Sequence, residues 1–182
     1  MQKRNKKILA IIGSATPNSS NQKFVEKIIE KVDHFDITMY NSLSELPHFN
    51  TELTEHNVPE KIKNIRELIE HSDGILFSTP EYIFSIPSGL KNLLEWCVST
   101  MIFTNKPISV LTASSSGIKG HEELHLILET LGAIIRPENS ILIKGIKGKF
   151  DQYGNIDKEL LQHVLSIMNN FNKTIEDFRH SS

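Results

Sequence analysis

Gly13-Ser14-Ala15-Thr16-Pro17-Asn18-Ser19-Ser20-Asn21 puts four hydroxyls and two carboxamides into one short turn between an apolar run and an amphipathic segment. Such a turn opens onto a helix N-terminus, where free backbone N–H groups and the positive end of the helix dipole favour a phosphate. The Gly-Lys step of a Walker loop is missing, as is Gly-x-Gly-x-x-Gly, so neither a nucleoside triphosphate nor a Rossmann-bound pyrophosphate is indicated. The plainer alternative is that Ser19 or Ser20 caps the helix and the rest is a polar loop. Two later loops join it, Thr79 to Pro87 and Ser114-Ser115-Ser116-Gly117-Ile118-Lys119-Gly120. In the former, Tyr82 offers a ring to stack on or to form a wall, whereas Glu81 is expected to fix the loop or stay exposed rather than to transfer protons. His121 and His125 stand at i and i+4, a two-ligand face with no third ligand at suitable spacing, so a solvated face is expected and no metal site.

These loops need a scaffold that brings them together. Short apolar runs alternate with longer amphipathic segments, the pattern of strands buried on both faces and joined by crossover helices. Strands are expected at Lys7 to Ile12, Phe35 to Tyr40, Gly74 to Ser78, Ile108 to Thr112, and Ala133 to Ile143 with a break near Pro137. Helices are expected at Asn21 to Val32, Glu60 to His71, Ser85 to Cys97, Glu122 to Leu131, and from about Lys158 to Phe178. In the third of these, Leu93, Leu94 and Trp96 are expected to pack and Lys91 to be solvated or subunit-facing. The alternation fits an α/β doubly wound five-stranded parallel sheet of flavodoxin-like order 2-1-3-4-5 with helices on both faces. Ligands then bind outside the carboxyl ends of the strands, where all three loops lie. The stretch from Asn41 to Pro59 is the longest irregular one, a lid, a subunit contact or a surface loop.

The 182 residues suit a single domain over the whole chain, and the 38% hydrophobic content is that of a globular protein. A net charge of -2 provides no basic face for nucleic acid. One cysteine, Cys97, allows no intramolecular disulfide and no cysteine metal site, which fits a cytoplasmic location. The basic start from Met1 to Lys7 precedes an apolar run of only five residues, too short for a signal-peptide core, and nothing approaches a membrane span. That start is expected to be solvated and partly frayed.

Thr79-Pro80-Glu81-Tyr82-Ile83, then Ser85-Ile86-Pro87, Leu90-Lys91-Asn92 and Glu95-Trp96, make a more specific pattern. It resembles the NADPH-dependent FMN reductase family, which carries Thr-Pro-Glu-Tyr-Asn, Ser-Ile-Pro, Leu-Lys-Asn and an acidic-Trp pair at this spacing. Gly13, Ser14, Ser19 and Asn21 similarly match the family's Gly-Ser-x-Arg-x-x-Ser-x-Asn phosphate loop. With Ser114 to Gly117 and Leu131-Gly132-Ala133, the likeness runs to about residue 145. It implies FMN as cofactor, NADPH or NADH as co-substrate, and a free flavin, quinone, azo compound or metal ion as small-molecule electron acceptor. The residues implied to hold the cofactor are Ser14, Thr16, Ser19, Ser20 and Asn21 in the first loop, Pro80, Glu81, Tyr82 and Ile83 in the second, and Ser114, Ser116 and Gly117 in the third. No catalytic acid or base is implied, because the flavin does the redox work. A homodimer or homotetramer is also implied, with the third helix at the interface.

Three positions depart from the family pattern: Thr16 replaces Arg, Ile83 replaces Asn, and Ser88 replaces Gly. The first removes a guanidinium clamp from the phosphate and leaves amides and hydroxyls. The second makes one corner apolar, which favours quinones or other apolar acceptors. Against the reductase stand a flavodoxin-like electron carrier, for which a net charge of -2 gives little steering, and a domain that has lost FMN.

Overall fold

The structure, a computed structural model, describes residues 5–179. The expected frayed start therefore falls largely on Met1 to Arg4, outside the described residues. Five strands, β1 (Lys6–Ile12), β2 (Phe35–Tyr40), β3 (Gly74–Thr79), β4 (Pro107–Ser114) and β5 (Ile134–Lys144), form one parallel sheet of order β2-β1-β3-β4-β5. Every residue of β3 and β4 is buried, the small hydroxyls of Ser78, Thr79, Ser109, Thr112 and Ser114 included, as strands covered on both faces require.

Period-two alternation then divides the core. Ile8, Ala10 and Ile12 of β1 face α1 (Ser20–Ile29) and α5 (Lys158–Arg179), packing with Phe24, Ile28, Met168 and Phe171. Leu9 and Ile11 face the other way, with Ile62, Ile65 and Ile69 of α2 (Glu60–His71), Leu90, Leu93, Leu94 and Trp96 of α3 (Ser88–Cys97), and Leu124 and Leu128 of α4 (Ile118–Thr130). The expected strand order and helix placement are thus observed. Trp96, Leu93 and Leu94 are packing residues, and Cys97 is buried, which pushes its thiol up to about 12.

Several boundaries differ from expectation for physical reasons. Helix α3 begins at Ser88 and not Ser85, because Ser85 closes a hairpin with Tyr82 and Pro87 precedes the first turn. Helix α4 begins four residues before the expected Glu122, because Gly117, at φ +85, turns the chain directly into it. Strand β4 runs on to Ser114, past the expected end at Thr112. In β5 the expected break is a register shift: Ile108 pairs with Ile135 but Val110 with Ser140, so Pro137 falls in the excursion and donates to no ladder.

The segment from Asn41 to Pro59 is docked, with single 3-10 turns at Leu43–Glu45 and Thr51–Leu53. Leu43 and Leu46 are buried, and Pro47 O accepts from Trp96 Nε1 (2.8 Å) and Asn92 Nδ2 (3.0 Å). Phe49 meets the Trp96 ring edge-on at 5.4 Å. These contacts hold its first half, Leu43 to Phe49, against α3.

Candidate functional site

Four loops meet at the carboxyl end of the sheet around a cavity of about 690 Å³. Its walls are Ser14, Thr16, Asn18, Ser19, Ser20 and Asn21 after β1; Pro80, Glu81 and Tyr82 after β3; Ala113, Ser114 and Ser115 at the end of β4; and Gly145 to Gly148 after β5. A second hollow, about 560 Å³, lies at the opposite end of the sheet between β1, β2 and α2.

The first loop is held at both ends. Gly13 N donates to Ser78 O (2.8 Å), and a Cβ on Gly13 would fall 2.3 Å from Thr79 Oγ1, so no side chain fits where the loop leaves the sheet. At its far end Ser19 caps α1, its Oγ accepting from Gln22 N (3.2 Å), while Lys23 N makes the first intrahelical bond to Ser19 O (3.0 Å). The amides of Ser20 and Asn21 precede that bond and stand at the positive end of the helix. Asn21 itself is buried: its Nδ2 donates to Ala113 O (3.0 Å) and its Oδ1 accepts from Ser78 Oγ (3.1 Å). Its carboxamide therefore latches α1 to β3 and β4, and what it turns toward a ligand is its backbone.

Glu81 is likewise spent internally. Oε1 accepts from Gly117 N (3.2 Å) and Oε2 from Gly120 N (2.8 Å), so one carboxylate caps α4 from a loop two elements away. This corresponds to the loop-fixing role and leaves its backbone at the cavity. Tyr82 lies across the mouth, its OH 3.3 Å from Ser14 Oγ, which also accepts from Thr16 N (3.3 Å). Tyr82 thereby joins the first loop to the second.

Beyond Tyr82 the chain makes a two-residue hairpin, Tyr82 N to Ser85 O (2.9 Å) and Ser85 N to Tyr82 O (3.1 Å). Ile83 (φ +50) and Phe84 (φ +60) both occupy the left-handed region, the geometry of a type I′ turn. They are 93% and 77% exposed. A β-branched residue there is strained, and Asn, the family's residue, is favoured. Glu123 braces the hairpin from α4, accepting from Ser85 Oγ (2.6 Å) and Ile86 N (2.9 Å). Burial alone would raise its pKa, but those two bonds and Lys91, 3.6 Å away, outweigh it and hold the carboxyl below its usual range. Lys91 is thus an ion-pair partner within this chain.

Three anticipated residues stand outside the cavity wall. Ile83 projects from the hairpin tip, Ser116 is exposed, and Gly117 is turned into the cap of α4, where a Cβ would fall 2.6 Å from Leu142 Cδ1. The His121 and His125 pair is also corrected. The rings lie 4.4 Å apart and half-buried, and His121 Nδ1 is 2.7 Å from Thr112 Oγ1, so this is a packed pair behind β4 and not a solvated face. Burial, then the neighbouring His125, pushes His121 down to about 4. Among the described residues no cluster of His, Cys, Asp or Glu is arranged to hold a metal. Asn18 and Ser115 lie in the two anticipated loops without having been singled out as cofactor residues, and Ala113 and the Gly145-Ile146-Lys147-Gly148 loop were not anticipated; a glycine directly after the fifth strand was the available signal for the last.

A five-stranded parallel sheet of order β2-β1-β3-β4-β5 with a phosphate-type loop after its first strand and a shaped cavity at its carboxyl end places the chain in the flavodoxin-like fold class. FerB, a flavoenzyme NAD(P)H:(acceptor) oxidoreductase from Paracoccus denitrificans, has the same fold, with a TM-score of 0.82 at 23% identity over 94% of this chain and 98% of that one. The sequence profile of the family NADPH-dependent FMN reductase matches residues 6–147, and the chain belongs to that family. The NADH-dependent flavin reductase subunit 2 of Lactobacillus johnsonii is 34% identical over 93% of this chain and 97% of its own length. A quinone reductase of Escherichia coli K12 is 27% identical over 93% and 95%. The protein is accordingly an NAD(P)H-dependent oxidoreductase of the flavin and quinone reductase kind, with FMN as its flavin.

The residues present fit that cofactor. The cavity is within the usual range for small-molecule sites, roughly 300–1,000 Å³. Its donor set is hydroxyl and amide on one side, with Ser14, Thr16, Ser20 and the first-turn amides of α1, and backbone with an aromatic ring on another, with Pro80, Tyr82 and Ser114.

Proposed function

We propose that the chain works as one flavodoxin-like domain that holds FMN in the four-loop cavity and reduces a small apolar acceptor, with a quinone preferred over free flavin. The first loop takes the phosphate, and the Pro80 to Tyr82 and Ala113 to Ser115 segments line the ring system. When bound, FMN supplies the redox chemistry, taking hydride from a nicotinamide and passing electrons on. The chain's own task is position and exclusion of water. The observation that carries this reading is that Glu81, the carboxylate of the cavity wall, is consumed by the amides of Gly117 and Gly120, leaving backbone, hydroxyls, the Tyr82 ring and Lys147 to line it. Nicotinamide and acceptor then use one open face in turn, so steady-state kinetics are ping-pong.

The acceptor preference rests on the hairpin tip, where Ile83 and Phe84 present apolar surface beside the cavity. A cytoplasmic homodimer is part of the proposal, supported by Val98 (65% exposed) and Met101 (76% exposed) directly after α3. Light scattering across a concentration series tests the dimer. An acceptor screen with FMN, a menadione-type quinone and an azo dye tests the preference: higher kcat/KM for the quinone, reduced by Ile83→Asn, is expected, and equal or better turnover of free FMN contradicts it.

A further inference from the structure

In this family's motif the phosphate loop carries an arginine, and here that position is Thr16, a neutral residue. A phosphate monoester near neutral pH carries close to two negative charges, and amides with hydroxyls alone leave them without a counter-charge. Two charged residues of opposite sign line the cavity, Glu81 and Lys147. Glu81 is occupied with α4, whereas Lys147 is exposed, lines the cavity, and among the described residues makes no ion pair or hydrogen bond through its ammonium.

The loop that carries it is built to keep it there. Gly145 N donates to Ser114 O (2.7 Å), tying the exit of β5 to the end of β4. Gly145 then turns at φ +67, and Gly148 N returns to Gly145 O (2.9 Å), closing a single turn over Ile146–Lys149. Ile146 is buried among the core residues of α1 and α5, so the turn is pinned against α1, the helix whose N-terminus faces the cavity. Lys147 follows that anchor directly and lines the cavity, whereas its neighbours Lys144 and Lys149 do not.

We propose that Lys147 is the cation that recognises the FMN phosphate, so that the charge the family supplies from the loop after β1 comes in this chain from the loop after β5. This rests on the reading of the four-loop cavity as the FMN site. Lysine acts as a mobile point charge where arginine would clamp two oxygens, so affinity depends strongly on salt.

The test is flavin binding to the apoprotein, followed by flavin fluorescence, with FMN and with riboflavin, which lacks the phosphate, at low and high ionic strength. Lys147→Ala and Lys147→Gln are expected to weaken FMN about 10- to 100-fold and to flatten its salt dependence, the range for losing one charge-assisted bond. Riboflavin binding and the thermal melt should stay as in wild type, Lys149→Ala should change neither flavin, and Thr16→Arg in the Lys147→Ala background should restore FMN. Equal weakening of FMN and riboflavin, or unchanged FMN affinity, would overturn the assignment while leaving the FMN site standing. A wild-type protein that binds neither flavin would remove the site itself, and the assignment with it.

Discussion

Replacing Ile83 by Asn should make the protein more stable, although the position is on the surface and touches almost nothing. Ile83 is 93% exposed, so trimming it sacrifices little buried area. It sits at φ +50 at the first central position of a two-residue hairpin, where an L residue with a branched Cβ crowds its own carbonyl. Left-handed backbone costs a β-branched residue about 1–2 kcal/mol, and Asn recovers most of that by local hydrogen bonding. The hairpin bonds between Tyr82 and Ser85, 2.9 and 3.1 Å, stay in place. A net gain of about 1 kcal/mol should raise the Tm by about 2–4 °C in a chain of this size. Urea unfolding with an unchanged m-value, beside a thermal scan, measures it. A variant no more stable than wild type, or less, would refute the strain, and would mean that Ile83 gains more from contacts at the tip than it loses in backbone energy.

Other outcomes follow from the same geometry. Glu81→Ala strips two acceptors from the start of α4 and should cost about 1–3 kcal/mol in urea unfolding while weakening FMN binding, since Glu81 fixes the loop that lines the cavity. Asn21→Leu keeps the branched heavy-atom outline but removes the side-chain donor to Ala113 O and the acceptor for Ser78 Oγ, which retains only the Asn21 backbone O at 3.3 Å, a loss of about 1–3 kcal/mol by the same assay. His121 is held at about 4 against an ordinary 6.5, so the unfolded chain binds more protons between those values. Stability should therefore fall as pH drops from 6.5 toward 4, and His121→Gln should flatten that slope in pH-dependent melts.

Where burial is symmetrical the sequence is easy to read. Gly74 to Ser78 and Ile108 to Thr112 are short runs without a charged residue because both faces of β3 and β4 are covered, and their placement followed from that. What was hidden depends on partners distant in the chain. The start of α4 lacks apolar periodicity across Ile118 to His121, and its cap comes from Glu81, 36 residues upstream of Gly117. The docking of Asn41 to Pro59 is made by Asn92 and Trp96 of α3, whose polar atoms give no local hint of their targets. Within the site, Ser14 and Tyr82 were recognisable by type and spacing, and their 3.3 Å approach joins two loops that the motifs had placed separately. Lys147 carries no such signal: the motifs lie after the first, third and fourth strands, whereas the loop after the fifth strand, which lines the same cavity, holds none.

Anaerobic addition of NADPH, and separately of NADH, to the FMN-loaded protein tests the central claim most directly, with the flavin absorbance followed in time. Rapid bleaching, reversed by a quinone, is the predicted result. Flavin that binds but stays oxidised in the presence of both nicotinamides would contradict the reductase and leave an electron carrier in its place.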